Sequence, residues 1–423
     1  MLAFKKIREC DVFVALWCLY YMQNILYASG VINQILQLIM ILMGLRTFFI
    51  CSVFRYKPSL IRATQLLVIM YAIYGMIIIL FGDGIQWTTD STYLKNSLNS
   101  LLPILYFYVQ TRNGVLTSER IKRYAIIMLL IIVANFYHME QVRLTELGVD
   151  ETTNNAGYWF VSMLPLVFFF NKKPLFQYAL LGIMMFYILM GMKRGAIMIG
   201  AVSVIIFLYS GFKGYSKKRK ILTTLLTIAI VVGTLYYVEY LMLSSDYFMM
   251  RVEHTIEGDS SGRDHIYTAV WKAIVDESNI FYLLFGHGAN SSIKYAGNFA
   301  HQDWLETACN NGIVGVMILA YFFIAFGVNV YRSRKSLEPN YFYCFFAIMF
   351  ISFTKTMFSM SIQNLDIYQS MLIGYFVYWT SRQGQKRLRT NSLWEIKRCV
   401  KMKWVLQYED LVLKETERYN CEI

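Results

Sequence analysis

The sequence predicts an all-α, polytopic integral membrane protein with about twelve transmembrane helices, and three observations lead there. The 423 residues are 57% hydrophobic and only 16% charged, with a mean hydropathy of +0.43. Apolar runs of about 20 residues, long enough to cross a bilayer as a helix, recur from one end to the other. Lys and Arg gather in alternate short loops, the pattern that marks the cytoplasmic side of a membrane protein.

The apolar runs fall near residues 11–29, 31–52, 60–82, 95–111, 122–138, 157–171, 175–192, 195–211, 221–243, 307–330, 341–361 and 366–381. Lys5, Lys6 and Arg8 precede the first run, and its apolar stretch lacks a small-residue cleavage site, so it reads as a retained span. Arg46, Arg55, Lys57 and Arg62 mark the next inner loop, and Arg112, Arg120, Lys122 and Arg123 the third. Lys172 and Lys173, then Lys213 to Lys220, then Arg332, Arg334 and Lys335 continue the series, with 381–389 after the last run. Both termini are therefore expected in the cytoplasm. The intervening loops at 83–90, 140–155 and 244–305 carry mainly acids and amides and belong to the opposite side. Pro103 and Pro165 fall inside spans, where they can kink a helix.

One transmembrane domain thus covers residues 1–382, with a long outer loop at 244–305 ahead of the tenth helix. Residues 383–423 form a basic tail with Trp394 and Trp404, either lying along the inner membrane surface or solvated. The net charge of +13 follows from the inner-face Lys and Arg. Anionic lipid accounts for it, and no nucleic-acid-binding pattern accompanies it. The seven cysteines avoid the outer loops, which argues against a disulfide framework.

The outer loop is the one extramembrane region large enough to build a site. Within it, 267–275 has helical apolar spacing, 280–285 can dip into the interface, and Gly286, Gly288 and Gly297 supply turns. The polar, glycine-dotted stretch 285–315, FGHGANSSIKYAGNFAHQDWLETACNNGIVG, needs a functional explanation, because irregular polar chain beside hydrocarbon is costly unless it lines water or protein. Lys193 and Arg194 sit between two spans on the outer side, against the positive-inside pattern, and Arg263 follows small residues in the outer loop. Such cations suit phosphate oxygens; lipid headgroups, or for Arg263 an ion pair with Asp259 or Asp264, are the alternatives. All five histidines map to the outer side. His301 is the best placed of them as a base, because it stands directly before an apolar helix; an interfacial or capping role is the alternative. Asp303 and Glu306 either orient His301 and touch a sugar hydroxyl, or serve the helix dipole alone. The histidines lack metal-ligand spacing, so neither a metal nor another cofactor is expected.

These residues resemble the O-antigen polymerase and ligase family of bacterial membrane glycosyltransferases. The resemblance rests on TTNNAGYW at 152–159 with Asn155, KRGA at 193–196, Gly262 and Arg263 followed by Trp271, FGHG at 285–288, and HQDWLETACNNGIVG at 301–315. Gln302 stands where the family commonly has Asn, which leaves the role of that amide open. The resemblance implies a metal-independent, inverting enzyme of the inner membrane, with its site facing the periplasm and its donor a polyprenyl-diphosphate-linked oligosaccharide. In that reading Arg194 and Arg263 meet the diphosphate while His301 takes the acceptor hydroxyl proton. Lys193, His287, Asp303, Glu306 and Asn155 bind substrate. Flippase and chain-length regulator proteins are the expected protein partners. The implied product is an O-antigen, capsule or exopolysaccharide polymer; transfer of finished polymer to lipid A core is the alternative within the family. A transporter or flippase is the alternative outside it, disfavoured because few acids or bases sit at midplane depth.

Overall fold

A computed structural model describes residues 8–25, 30–81, 87–146, 154–214, 217–244, 248–250, 252–253, 263–362 and 365–381, and among them every regular element is helical. In chain order they are α1 (Glu9–Ile25), α2 (Gly30–Val53), α3 (Ser59–Phe81), α4 (Trp87–Arg112), α5 (Ser118–Glu146), α6 (Gly157–Met163), α7 (Pro174–Met190), α8 (Arg194–Gly214) and α9 (Lys217–Ser244). Three short helices follow, α10 (Arg263–Val275), α11 (Ile280–Phe285) and α12 (Ser291–Ala296), then α13 (Asp303–Ser333), α14 (Pro339–Phe358) and α15 (Ile367–Thr380). Each apolar run named above lies on a helix. Seven helices, α2, α3, α5, α8, α9, α13 and α14, are long and apolar enough to cross a membrane, and Gly157–Phe170 and Pro174–Met190 are shorter apolar stretches. The chain is a multi-pass, all-α membrane protein. The basic tail, most of 244–262 and the residues Thr152, Thr153, Asp259 and Gly262 lie outside the described residues.

Two helices depart from the expected bounds because polar residues extend them. α4 begins at Trp87 and α5 continues to Glu146, each adding polar turns to an apolar run. Pro103 sits within α4, whereas Pro165 marks a change of helix type: α6 tightens into a 3₁₀ segment over Leu164–Phe170, where the missing proline N–H costs least.

α4 is the axis of the bundle. It packs against α2, α3 and α15, and from Leu101 to Tyr108 its side chains are almost fully buried. Its faces meet protein, so it tolerates Ser97, Asn99 and Ser100 within the bundle. Three helices approach it through glycine. A Cβ on Gly44 would lie 2.6 Å from Leu102 Cβ, one on Gly75 2.8 Å from Leu94 Cβ, and one on Gly374 2.6 Å from the Tyr108 backbone N. Small residues bring helix backbones close enough for dispersion to hold them where lipid offers no hydrophobic drive. At the end of the bundle away from α10–α12, Asp11 joins α1 to α5 by accepting from Arg120 Nη1 at 3.2 Å and from Tyr124 Oη at 2.5 Å.

Gly374→Leu is expected to lower the thermal midpoint of the detergent-solubilised protein by the equivalent of about 1–3 kcal/mol or more, because backbone cannot yield as a side chain does. Gly182→Leu, at a position where an added Cβ meets nothing within 4 Å, serves as the control and is expected to lower the midpoint far less.

Candidate functional site

The short helices α10, α11 and α12 form a cap that is held on α13 by backbone. Asn279 starts α11 by accepting the Phe281 N–H at 2.9 Å, and the chain then turns through Gly286 (φ 77°) and Gly288 (φ 99°). α13 is a broken helix: Gly312 takes φ 64° and ψ −163°, which frees carbonyls that an unbroken helix would use. Two of them are recovered by the glycine turn. His287 N–H donates to Cys309 O at 2.9 Å and Gly288 N–H to Asn310 O at 3.1 Å. A Cβ on Gly286 would overlap the Asn310–Asn311 peptide, and one on Gly312 would overlap the Leu284 carbonyl, so only glycine permits the contact. FGHG and the Gly312 region of the long motif are two halves of one clasp.

His301 occupies the turn between α12 and α13 with φ 52°, a left-handed conformation open to few side chains. Gln302 then caps α13, its Oε1 accepting the Leu305 N–H at 2.7 Å, which gives that amide a structural task. Glu306 is 2% exposed and gathers the turn from below: it accepts from Ser292 Oγ at 2.7 Å, Asn310 Nδ2 at 3.3 Å and the backbone N–H groups of Ala300 and His301. Asp303, 3% exposed, accepts the N–H groups of Ser361 at 2.8 Å and Ile362 at 3.0 Å, fixing the segment after α14. Both carboxylates are therefore engaged in positioning, and Glu306 orients His301 through its main chain.

The cations arrive from other helices. Arg263 opens α10 and its Nη1 donates to Phe358 O, at the C-terminus of α14, over 3.2 Å. The planar guanidinium fork has further N–H donors besides this one. Lys193 precedes α8, and Arg194 is its first residue; both are half-buried. Gly195 lets this turn close on α6, since a Cβ there would overlap the Tyr158 hydroxyl and lie 3.7 Å from Phe358 Cβ. Burial, then the positive charges of Arg263 and Lys193, hold the His301 imidazole below its ordinary value of 6.5. The structure thus brings Lys193, Arg263 and His301 into one electrostatic neighbourhood, with Arg194 on the same turn as Lys193.

Other expected site residues lie elsewhere. His287 belongs to the cap: its Nδ1 is 3.1 Å from Tyr295 Oη and 3.8 Å from Glu277 Oε2, and its ring stacks on Tyr282. Asn155 is exposed at the entrance to α6, where its carbonyl accepts the Tyr158 N–H, while Asn154 is buried. Among the described residues no group of three His, Cys, Asp or Glu side chains converges as metal ligands would.

The C-terminal turn of α14 is the junction of the site, and the sequence reading missed it. Trp304 Nε1 donates to Thr356 Oγ1 at 3.0 Å, Phe358 holds Arg263, and Lys355 reaches Ser162 Oγ and Asp366 Oδ2, each at 3.2 Å. Lys355 and Asp366 are 4% and 6% exposed, and the Lys355 ammonium lies 5.8 Å from the centre of the Tyr158 ring. A lysine within the apolar run 341–361 was a readable signal, because an ionisable residue inside a span implies a partner. No family model matches the chain, and no curated protein matches it either.

Lys355→Met should destabilise the protein by about 3–5 kcal/mol, since it leaves the Asp366 carboxylate buried without its cation. Lys355→Met combined with Asp366→Leu should recover much of that loss in thermal unfolding; two independent, additive losses would show that the pair is not coupled.

Proposed function

We propose that this protein is a membrane glycosyltransferase that extends a polysaccharide, moving glycan from a polyprenyl-diphosphate donor to an acceptor sugar hydroxyl on the periplasmic face of a bacterial inner membrane. The observation that carries the reading is the meeting of Lys193, Arg263 and His301, residues drawn from three separate parts of the chain. A lipid-linked diphosphate leaves readily once its charge is stabilised, and an acceptor hydroxyl needs a base beside it. The cluster has both chemistries: cations held at helix ends, and an imidazole that burial and then two of those cations make harder to protonate.

In this mechanism Arg263 and Arg194, with Lys193 beside them, stabilise the diphosphate oxygens. The acceptor oxygen attacks the anomeric carbon from the opposite face as its proton passes to His301, and the bond from that carbon to the diphosphate oxygen breaks. The anomeric configuration inverts, and the lipid diphosphate departs carrying the bonding electrons. Asp303 and Glu306 hold the frame in which His301 stands. The multi-pass helical fold supports a substrate that resides in the membrane, and the family resemblance in the sequence supports the substrate class.

Removing Arg263 or His301 by alanine substitution is expected to cost about 3 kcal/mol, roughly a hundredfold in rate. Full polymer in cells that carry either variant at normal protein level would overturn the assignment. A deletion strain separates polymerase from ligase: the first leaves a single repeat unit on the core, the second leaves polymer on its lipid carrier.

The pH profile gives an independent reading. The native imidazole titrates below 6.5, so the base stays unprotonated as pH falls through that value, and the rate declines only at lower pH. Arg263→Gln removes a charge that disfavours imidazolium, so the acid limb of its residual activity should move to higher pH. An unmoved limb would exclude His301 as the titrating base.

A further inference from the structure

A cavity of about 220 Å³ lies between α1, α2, α4 and α6 and is closed on one side by the turn into α15. Aromatic and polar side chains line it together with aliphatic ones such as Met40, Leu98 and Leu102. Trp17, Tyr21 and Trp159 supply aromatic surface, and Asn96, Asn99 and Asp366 supply hydrogen-bonding groups. The rings brace one another: Trp17 stacks on Tyr21 with centroids 3.9 Å apart, and Tyr21 meets Trp159 edge-on at 5.2 Å. Asn96 and Asn99 are three residues apart on α4 and so share one face of that helix.

The lining selects among ligands. An isoprenoid chain offers no hydrogen bonds and would strip the two amides and the carboxylate of water without replacing it. A phosphate would meet the Asp366 carboxylate. A sugar ring satisfies both sets of groups, because its hydroxyls donate to Asp366 and exchange hydrogen bonds with the amides while its C–H faces lie on the aromatic rings. The volume has room for a single pyranose.

The cavity is linked to the cation cluster through Tyr158. Trp159 follows Tyr158, whose hydroxyl lies against Gly195, and Asp366 is held at 3.2 Å by Lys355, which stands over the Tyr158 ring. We infer that this aromatic and amide cavity is a saccharide subsite, holding a sugar ring of the glycan whose transfer is proposed above. The inference rests on that proposed function for the identity of the glycan, and on the lining residues for the chemistry.

The test uses the full-length protein in nanodiscs and, as probe, the free oligosaccharide released by mild acid from the lipid-linked pool of the native cell, which carries neither lipid nor diphosphate. It is expected to bind the wild type and to lose about tenfold in affinity with either Asn96→Leu or Asn99→Leu. Should the leucine variants fail to fold, amide exchange on the wild type replaces them, with slowing expected over residues 93–103 when the oligosaccharide is added. No binding by the wild type, unchanged affinity in both leucine variants, or slowed exchange only in the cap would overturn the subsite. Asparagine-dependent binding without any polymer formation would retain the subsite and remove the polymerase reading. Polymer formation indifferent to both asparagines would remove the subsite alone.

Discussion

The clasp between FGHG and the break in α13 is the constraint on which the arrangement of this site depends. A helix interrupted inside protein or lipid leaves carbonyl oxygens out of reach of water, and each one left unpaired costs several kcal/mol. Here Cys309 O and Asn310 O are met by the N–H groups of His287 and Gly288, two consecutive donors that exist only because the chain turns through glycines with positive φ. Ser291 adds its N–H and hydroxyl to Asn310 Oδ1 at 3.0 and 2.8 Å. The cap is thereby registered on α13 by backbone groups, whose positions do not vary with rotamer, and His301, between the cap and α13, inherits that register.

From this fixed point the remaining contacts run in one direction, towards the C-terminal turn of α14. A helix C-terminus presents unpaired carbonyls and the negative end of its dipole, so it attracts cations. Phe358 O takes Arg263, and one turn earlier Lys355 binds across to Asp366 and Ser162. Asp303 holds the segment just beyond, through Ser361 and Ile362. One turn of helix therefore ties together α6, α10, α13 and the start of α15, and the KRGA turn joins through Gly195 against Tyr158. Arg263 and the KRGA turn meet there, the first bonded to Phe358 O and the second closed on α6 at Gly195.

The fold was largely legible in the sequence, since burial in lipid requires long apolar runs and such runs are local. Each run became a helix, and in the cap the apolar spacing at 267–275 and 280–285 and the turns at Gly286, Gly288 and Gly297 also reappear. What could not be read was any feature set by contact between distant segments. The polar turns that extend α4 and α5 carry no apolar signal, and Gly312 looks like a small residue inside a continuous helix until FGHG is laid against it. The tasks of Asp303, Glu306 and Gln302 were hidden for the same reason, because an acid or amide at a helix start has one appearance whether it faces a ligand or a neighbouring backbone. Lys193, Arg263 and His301 could be picked out singly by residue type, but their convergence needs the packing of α6, α8, α10 and α14. Lys355 is different, since its signal was local and was overlooked.

Glu306 and His301 are joined in a way that bears on how the proposed base would be controlled. In a hydrogen-bonded acid–imidazole dyad, the carboxylate sets the tautomer and stabilises the imidazolium, which raises the basicity of the ring. Here Glu306 grips the main chain of the turn, so it fixes where the imidazole stands without bonding the ring. Ring protonation is governed instead by burial and by Arg263 and Lys193, which all act in the opposite sense and keep the imidazole neutral. A diphosphate bound to those cations would cancel part of their field and make the imidazole more basic. The proposed donor would then strengthen the base at the moment it occupies the site, and its departure would help return the proton.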